Sequence, residues 1–251
     1  FRNQLIDAML FHPVRGAEIQ PERLGLVGEG VFLEADDGIQ IHAFWLPAER
    51  ARVAILFLHG NAGNASYSLP ISSYLVRLGA SVLVLDYRGY GLSEGTPSEE
   101  GVYQDARVGL AYLTDVQGFP ENRIIVFGQS LGGAVAVDLA QDRKLGGLIL
   151  ESTFDSVESM ARARVPFADL FLSDRFDSGK KIARLRTPVL FLHGDRDGTV
   201  PIASGRSLFE RAPEPKDFVI VKGAGHNNVA DIGGRFYWNR IDQFIKDSLS
   251  R

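Results

Sequence analysis

From Gly30 onward, short apolar runs alternate with stretches whose apolar residues recur at helical spacing. VFLEADDGIQIHAFWLP (31–47) has two alternating segments around Asp37-Gly38, the pattern of a β-hairpin. RVAILFLHG (52–60), SVLVLD (81–86), RIIVFG (123–128), GLILES (147–152), PVLFLHG (188–194) and DFVIVKG (217–223) are continuous β-rich runs. Such runs fit strands buried on both faces, as a parallel sheet requires. Helical spacing fills residues 65–79, 97–118, 131–143, 203–212 and 230–249. This alternation predicts an α/β protein: a mostly parallel central sheet, helices on both faces, and the opening hairpin as antiparallel strands at one edge. With no internal repeat, low-complexity tract or linker, residues 1–251 read as a single domain. One segment, about 152–187, is longer than an ordinary connection and carries the apolar cluster VPFADLFL. It is expected to form a short cap over the sheet edge, with a plain crossover helix and tail as the alternative.

A chain of 251 residues can bury one sizeable core, and 45% hydrophobic with 23% charged residues is ordinary for a globular protein. A net charge of −4 without a block of like charge leaves no electrostatic footprint for nucleic acid or anionic lipid. The absence of cysteine excludes a disulfide framework, a thiolate nucleophile and a Cys-ligated metal, while leaving the compartment open. No apolar run approaches the roughly 20 residues that span a bilayer. The first residue is Phe1 rather than Met. The location is left open, a cytoplasmic one being favoured and a membrane-anchored or exported one following if an N-terminal segment was removed. Oligomeric state leaves no mark in the sequence.

Two pentapeptides match G-x-S-x-G: GQSLG at 128–132 and GLSEG at 91–95. A serine that transfers acyl groups must project its hydroxyl into a cleft while backbone N–H groups face the developing oxyanion. A strand turning directly into a helix achieves both, and flanking glycines let the turn approach its neighbours. Ser130 has that context, between the strand RIIVFG and the small-residue helix LGGAVAVDLA. Ser93 lies in the loop DYRGYGLSEGTP, with Pro97 before the next helix, so its glycines read as loop geometry.

A hydroxyl needs a base, and the base needs an acid to orient it. His12 and His42 read as surface or edge-strand polar residues. His59 and His193 end strands as H-G, where an imidazole bonds backbone and shapes a loop. His226, in the glycine-flanked VKGAGHNN after the final strand, alone fits the chain order serine, acid, histidine. HGDRDGTVP offers Asp195 and Asp197 as the acid, and periodicity does not separate them. Glu151, at the end of GLILES, is a weaker third candidate, since a sheet-end carboxylate ordinarily bonds a loop.

LHGNAGN (58–64), LDYRGYGLSEG (85–95), GQSLGG (128–133), ESTF (151–154), LHGDRDGTVP (192–201) and GAGH (223–226) occur in this order. With them the chain resembles the α/β-hydrolase superfamily over nearly its whole length. Within it, the chain is similar to small single-domain serine hydrolases of the bud-emergence and serine-aminopeptidase-like groups. The resemblance implies an α/β-hydrolase fold with Ser130 as nucleophile and His226 as base. It makes the acid Asp197, the fifth position of H-G-x-x-D-x-x-V-P, and leaves Asp195 a loop residue. It also implies an oxyanion hole of the backbone N–H groups of Leu131 and Asn61, with the Asn61 and Asn64 side chains bracing their loop.

The implied reaction is hydrolysis of an ester, thioester or amide through an acyl-enzyme, with no cofactor or metal and a small acyl compound as the partner. Serine at the elbow argues against the dehalogenase and epoxide hydrolase branches, which place aspartate there. The opening FRNQLIDAMLFHPVRGAE is similar to members in which a membrane anchor comes first. Three other readings compete. An aminopeptidase or amidase would need an acidic pocket, for which Glu151, Asp155 and Asp169 are candidates. A non-catalytic binding module would usually have lost a triad member. A cofactor-free perhydrolase would share the triad.

Overall fold

The structure, a computed structural model, describes residues 7–8, 10–162 and 175–250. It divides into two compact units, Phe1–Val126 and Phe127–Arg251. In the first, strands β1 (Glu29–Glu34), β2 (Gln40–Leu46), β3 (Val53–Leu58) and β4 (Ala80–Leu85) lie in the order β3-β4-β2-β1. The expected hairpin is β1 and β2, antiparallel with Phe32 opposite His42. It turns through Asp37-Gly38, where Gly38 takes a φ of 80° and donates its N–H to Ala35. β2 continues antiparallel onto β4, and β4 runs parallel to β3. β3 and β4 are buried at every position, as their unbroken apolar runs require, whereas β1 buries only Leu33 fully.

Helix α1 (Leu69–Arg77) packs on β4. Helix α2 (Glu99–Ala111) starts where the Ser98 hydroxyl accepts the Gly101 N–H, with Glu99 and Glu100 in its first turn. The loop DYRGYGLSEG is braced by nearly all of its polar side chains. Asp86 bonds His42 and the Ala65 N–H, Arg88 bonds Asp105 and Asp37, and the hydroxyls of Tyr87 and Tyr90 reach the carbonyls of His59 and Asn61. Gly91 is obligatory there: its φ is 50°, and a Cβ would lie 2.1 Å from the Asp86 carboxylate.

In the second unit, β5 (Ile124–Gln129, of which Phe127–Gln129 fall here), β6 (Gly147–Glu151), β7 (Val189–Gly194) and β8 (Lys216–Val221) lie in the order β8-β7-β6-β5. β7 runs parallel to both of its neighbours, and β6 and β7 are buried throughout. The helices are α3 (Leu131–Ala140), α4 (Val157–Arg162), α5 (Ser178–Lys181), α6 (Ile202–Arg211) and α7 (Val229–Leu249). α3 packs on β6, and α6 and α7 pack on β7 and β8. α7 is interrupted at Gly234, whose φ of 47° and ψ of −130° are not helical. Of the expected cap, α4 and α5 are described; Asp155, just before α4, accepts the Ser207 hydroxyl of α6 and, at its carbonyl, the Gly179 N–H of α5. VPFADLFL and Asp169 lie outside the described residues. Among the described residues, no helix is long and apolar enough to cross a membrane.

Candidate active site

The nucleophile candidate stands at the junction of β5 and α3, with Gln129 ending the strand and Leu131 opening the helix. Ser130 holds a φ of 53° and ψ of −117°, a conformation that costs a non-glycine residue about 1–3 kcal/mol. The surrounding backbone leaves no room for a side chain at Gly128, where a Cβ would lie 2.4 Å from the Gly132 carbonyl oxygen and 2.6 Å from Gly133 Cα. As the first residue of α3, Leu131 has no intrahelical partner for its N–H, which stands at the positive end of the helix dipole.

The other two candidates arrive on neighbouring loops. β7 and β8 pair in register up to Gly194 opposite Val221, so residues 195–201 and 222–228 leave the same end of the sheet. Backbone bonds zip these loops together: Asp195 N–H to Val221 O at 3.4 Å and Arg196 N–H to Ala224 O at 2.9 Å. One oxygen of Asp197 accepts the N–H groups of Thr199 and Val200 at 2.8 and 2.7 Å, which fixes its orientation. The other faces His226 Nδ1 at 2.8 Å. His226 Nε2 lies 3.0 Å from Ser130 Oγ. The carboxylate thus holds the imidazole proton on Nδ1, leaving the Nε2 lone pair to accept the serine proton.

The row is shielded: Ser130 and Asp197 are each 8% exposed, and the His226 side chain 12%. Burial by itself would raise the Asp197 carboxyl. The bonds from His226, Val200 and Thr199 and the imidazole charge outweigh it, holding Asp197 below the usual carboxylate value. It therefore stays ionised.

Of the competing acids, Asp195 is engaged elsewhere, accepting the Gly223 N–H at 2.6 Å. Glu151 is 1% exposed; it accepts Gln129 Nε2 at 2.7 Å and the Tyr237 hydroxyl at 2.5 Å. Burial pushes Glu151 up despite those two bonds, and burial together with Glu151 pushes the Tyr237 phenol well up. Tyr237 keeps its proton and donates it.

Of the remaining histidines, three are buried and bonded. His193 bonds Val200 O at 2.9 Å and lies 3.5 Å from Asp197, steadying the acid loop. His59 bonds Gly60 O at 2.7 Å. His12 is exposed. His42 corrects its expectation as a surface or edge-strand residue: it is 1% exposed, on a strand flanked on both sides, with Nδ1 2.7 Å from Asp86. Ser93, also fully buried, accepts the His42 N–H and donates to Asp86 O, so its hydroxyl is consumed. In the first unit, Asn61 donates to Leu10 O, and Asn64 donates to Val14 O and Gly16 O, the bracing expected of both. Thr153, which donates to Ser130 O at 2.9 Å, lay within the ESTF motif without a role assigned to it, and Tyr237 had no local signal, since only the fold brings it to the site. Among the described residues, no group of three or more His, Asp or Glu is arranged to hold a metal ion.

Residues 49–177 match the family described as serine aminopeptidase, S33. The α/β hydrolase domain-containing protein WAV2 of Arabidopsis thaliana is 34% identical over 91% of this chain and 82% of its own length. Protein bem46 of Schizosaccharomyces pombe is 36% identical over 72% of this chain and 64% of its own. Among solved structures, the esterase Pf2001 of Pyrococcus furiosus superposes with a TM-score of 0.82 at 20% identity, covering 95% of this chain and 98% of that one. The chain belongs to the serine aminopeptidase S33 family and has the α/β-hydrolase fold. It is a hydrolase of the group that includes bem46 and WAV2.

Proposed function

We propose that the protein hydrolyses carboxylic esters or thioesters through an acyl-enzyme, with Ser130 as nucleophile, His226 as general base and Asp197 as its orienting acid. The observation that carries this reading is the unbroken row Ser130 Oγ, His226, Asp197, with contacts of 3.0 and 2.8 Å. Ser130 Oγ attacks the carbonyl carbon as its proton passes to His226 Nε2, and Asp197 stabilises the imidazolium. The Leu131 N–H, at the start of α3, stabilises the oxyanion. Collapse expels the alcohol or thiol, which takes the proton from His226. A water molecule, deprotonated by the same imidazole, then attacks the acyl carbon and frees Ser130.

An aminopeptidase, the activity in the family's description, would need a carboxylate free to hold a substrate ammonium. Of the three candidate acids, Asp169 lies outside the described residues, Glu151 is buried and bonded to Gln129 and Tyr237, and Asp155 is engaged by Ser156, Ser159 and Ser207. The ester reading is therefore preferred. Labelling by a fluorophosphonate, followed by a panel of p-nitrophenyl esters, acyl-CoAs and amino-acid amides, tests both parts. Labelling with turnover of esters or acyl-CoAs is expected. Turnover of the amides alone would overturn the substrate assignment, and failure to label would overturn catalysis by serine.

A further inference from the structure

We propose that the turn Glu151–Thr153 is the joint that sets the three arms of this site in register, with Thr153 as the positioning residue for the nucleophile. The inference rests on the triad reading above. Ser130 holds a backbone conformation that local preference disfavours, so something outside the elbow must impose it. Both of its backbone polar groups are taken up by this turn. The Ser130 N–H donates to Glu151 O at 2.8 Å, and its carbonyl accepts Thr153 Oγ1 at 2.9 Å beside the Gly133 N–H at 2.9 Å. α3 is seated directly on the same side chain, since a Cβ on Gly133 would lie 2.2 Å from Thr153 Oγ1.

The middle residue of the turn reaches the second arm. Ser152, itself at a φ of 48°, donates its N–H to Leu192 O at 3.0 Å, on the strand that leads into the loop of Asp197. The third arm is reached through the side chain of Glu151. It holds Gln129, next to the nucleophile, and Tyr237 on α7, the helix that begins at Val229 just after His226. Three consecutive residues therefore touch the elbow, the acid-bearing strand and the helix behind the histidine loop. All three are 1% exposed or less, and their bonds run to the backbone and side chains that carry the triad.

Thr153→Val keeps the side-chain volume and removes the donor to Ser130 O. Thr153→Ser keeps the donor and removes a methyl. With a p-nitrophenyl ester, Thr153→Val should lower kcat by about 10- to 100-fold, the range a small misplacement of a reacting group produces. KM should stay within about threefold, because the change acts on the reacting geometry rather than on uniform substrate binding. Fluorophosphonate labelling should slow by a factor like that in kcat, and Thr153→Ser should return kcat to within about threefold of the wild type. A packing role predicts the reverse order, with valine active and serine impaired, and that order would overturn the joint. Tyr237→Phe, which severs α7 from Glu151, should give the same kcat-selective loss. Should Thr153→Val fail to fold, wild-type kcat in Tyr237→Phe would overturn the joint by itself. Ser130→Ala separates the two ideas. If it remains active, the triad reading fails and the inference with it; if it is dead while Thr153→Val has wild-type kcat, only the joint fails.

Discussion

Ser93 and Ser130 occupy the same pentapeptide pattern, yet their hydroxyls have opposite surroundings. Ser93 Oγ is spent on the His42 N–H and the Asp86 carbonyl, whereas Ser130 Oγ faces an imidazole nitrogen. Ser93→Ala should therefore leave kcat/KM within about threefold while lowering unfolding stability by about 1–3 kcal/mol, because the buried His42 N–H loses its acceptor. Ser130→Ala should keep its stability and lose on the order of 10⁴-fold or more in kcat. Ester kinetics and urea titrations on the two variants check this, and activity lost in the Ser93 variant alone would reverse the assignment. The two aspartates divide in the same way. Asp197→Asn should lower kcat by about 10⁴, as the equivalent change does in serine proteases, because the amide favours the wrong imidazole tautomer. Asp195→Asn still offers an oxygen to the Gly223 N–H, so kcat should stay within about tenfold of the wild type. If the Asp195 variant is the inactive one, the acid has been assigned two residues out of register.

The elements legible from sequence are those whose signal is local. Continuous apolar runs marked the strands, and the strand–glycine–serine–helix junction marked the elbow. Gly128→Ala tests that junction: its Cβ would meet backbone on α3, which has no flexible end to move aside. The variant should lose about 1–3 kcal/mol of stability from overpacking and label slowly with fluorophosphonate. Wild-type stability and labelling would show that the elbow tolerates a side chain. Where local patterning misled, neighbours in the fold were responsible. The hairpin expected at the sheet edge made His42 a surface or edge-strand residue, but β2 lies between β1 and β4 and is buried at six of its seven positions, His42 among them. The helical spacing of 230–249 runs unbroken through Gly234, where the backbone leaves the helix. Side-chain spacing carries no record of a backbone dihedral that glycine alone readily adopts.

At the scale of the molecule, two buried imidazoles tie stability to pH. Burial holds His59 and His193 below the ordinary histidine value of about 6.5, against the opposing pull of Asp86 on one and of Val200 and Asp197 on the other. Both stay neutral when folded and charge when unfolded. Stability is thus fully present above about pH 6.5 and falls as pH drops through the lowered values. The depressed Asp197 carboxyl adds a further loss at still lower pH, below the ordinary carboxylate value of about 4. The raised carboxyls of Glu151 and Asp105 act in the opposite sense, stabilising most at low pH, and set themselves against the two imidazoles and Asp197. Removing one imidazole isolates its share: on going from pH 7.5 to pH 5.5, the urea midpoint of His193→Gln should fall less, or rise more, than that of the wild type. The same change of midpoint in both proteins would contradict this assignment.

The sequence by itself determined the succession of strands and helices, the elbow serine, the histidine and a short set of acids. Each of these is written in residues adjacent along the chain. The tertiary structure decided which acid meets the imidazole, what the Ser93 hydroxyl bonds, what Glu151 holds and why His42 is buried. Those outcomes rest on pairs far apart in sequence: 96 positions separate Ser130 from His226, 86 separate Glu151 from Tyr237, and 44 separate His42 from Asp86. Hydrogen bonds are made at about 3 Å whatever the separation along the chain, so only the packed sheet and its loops select these pairs from the candidates the sequence offers.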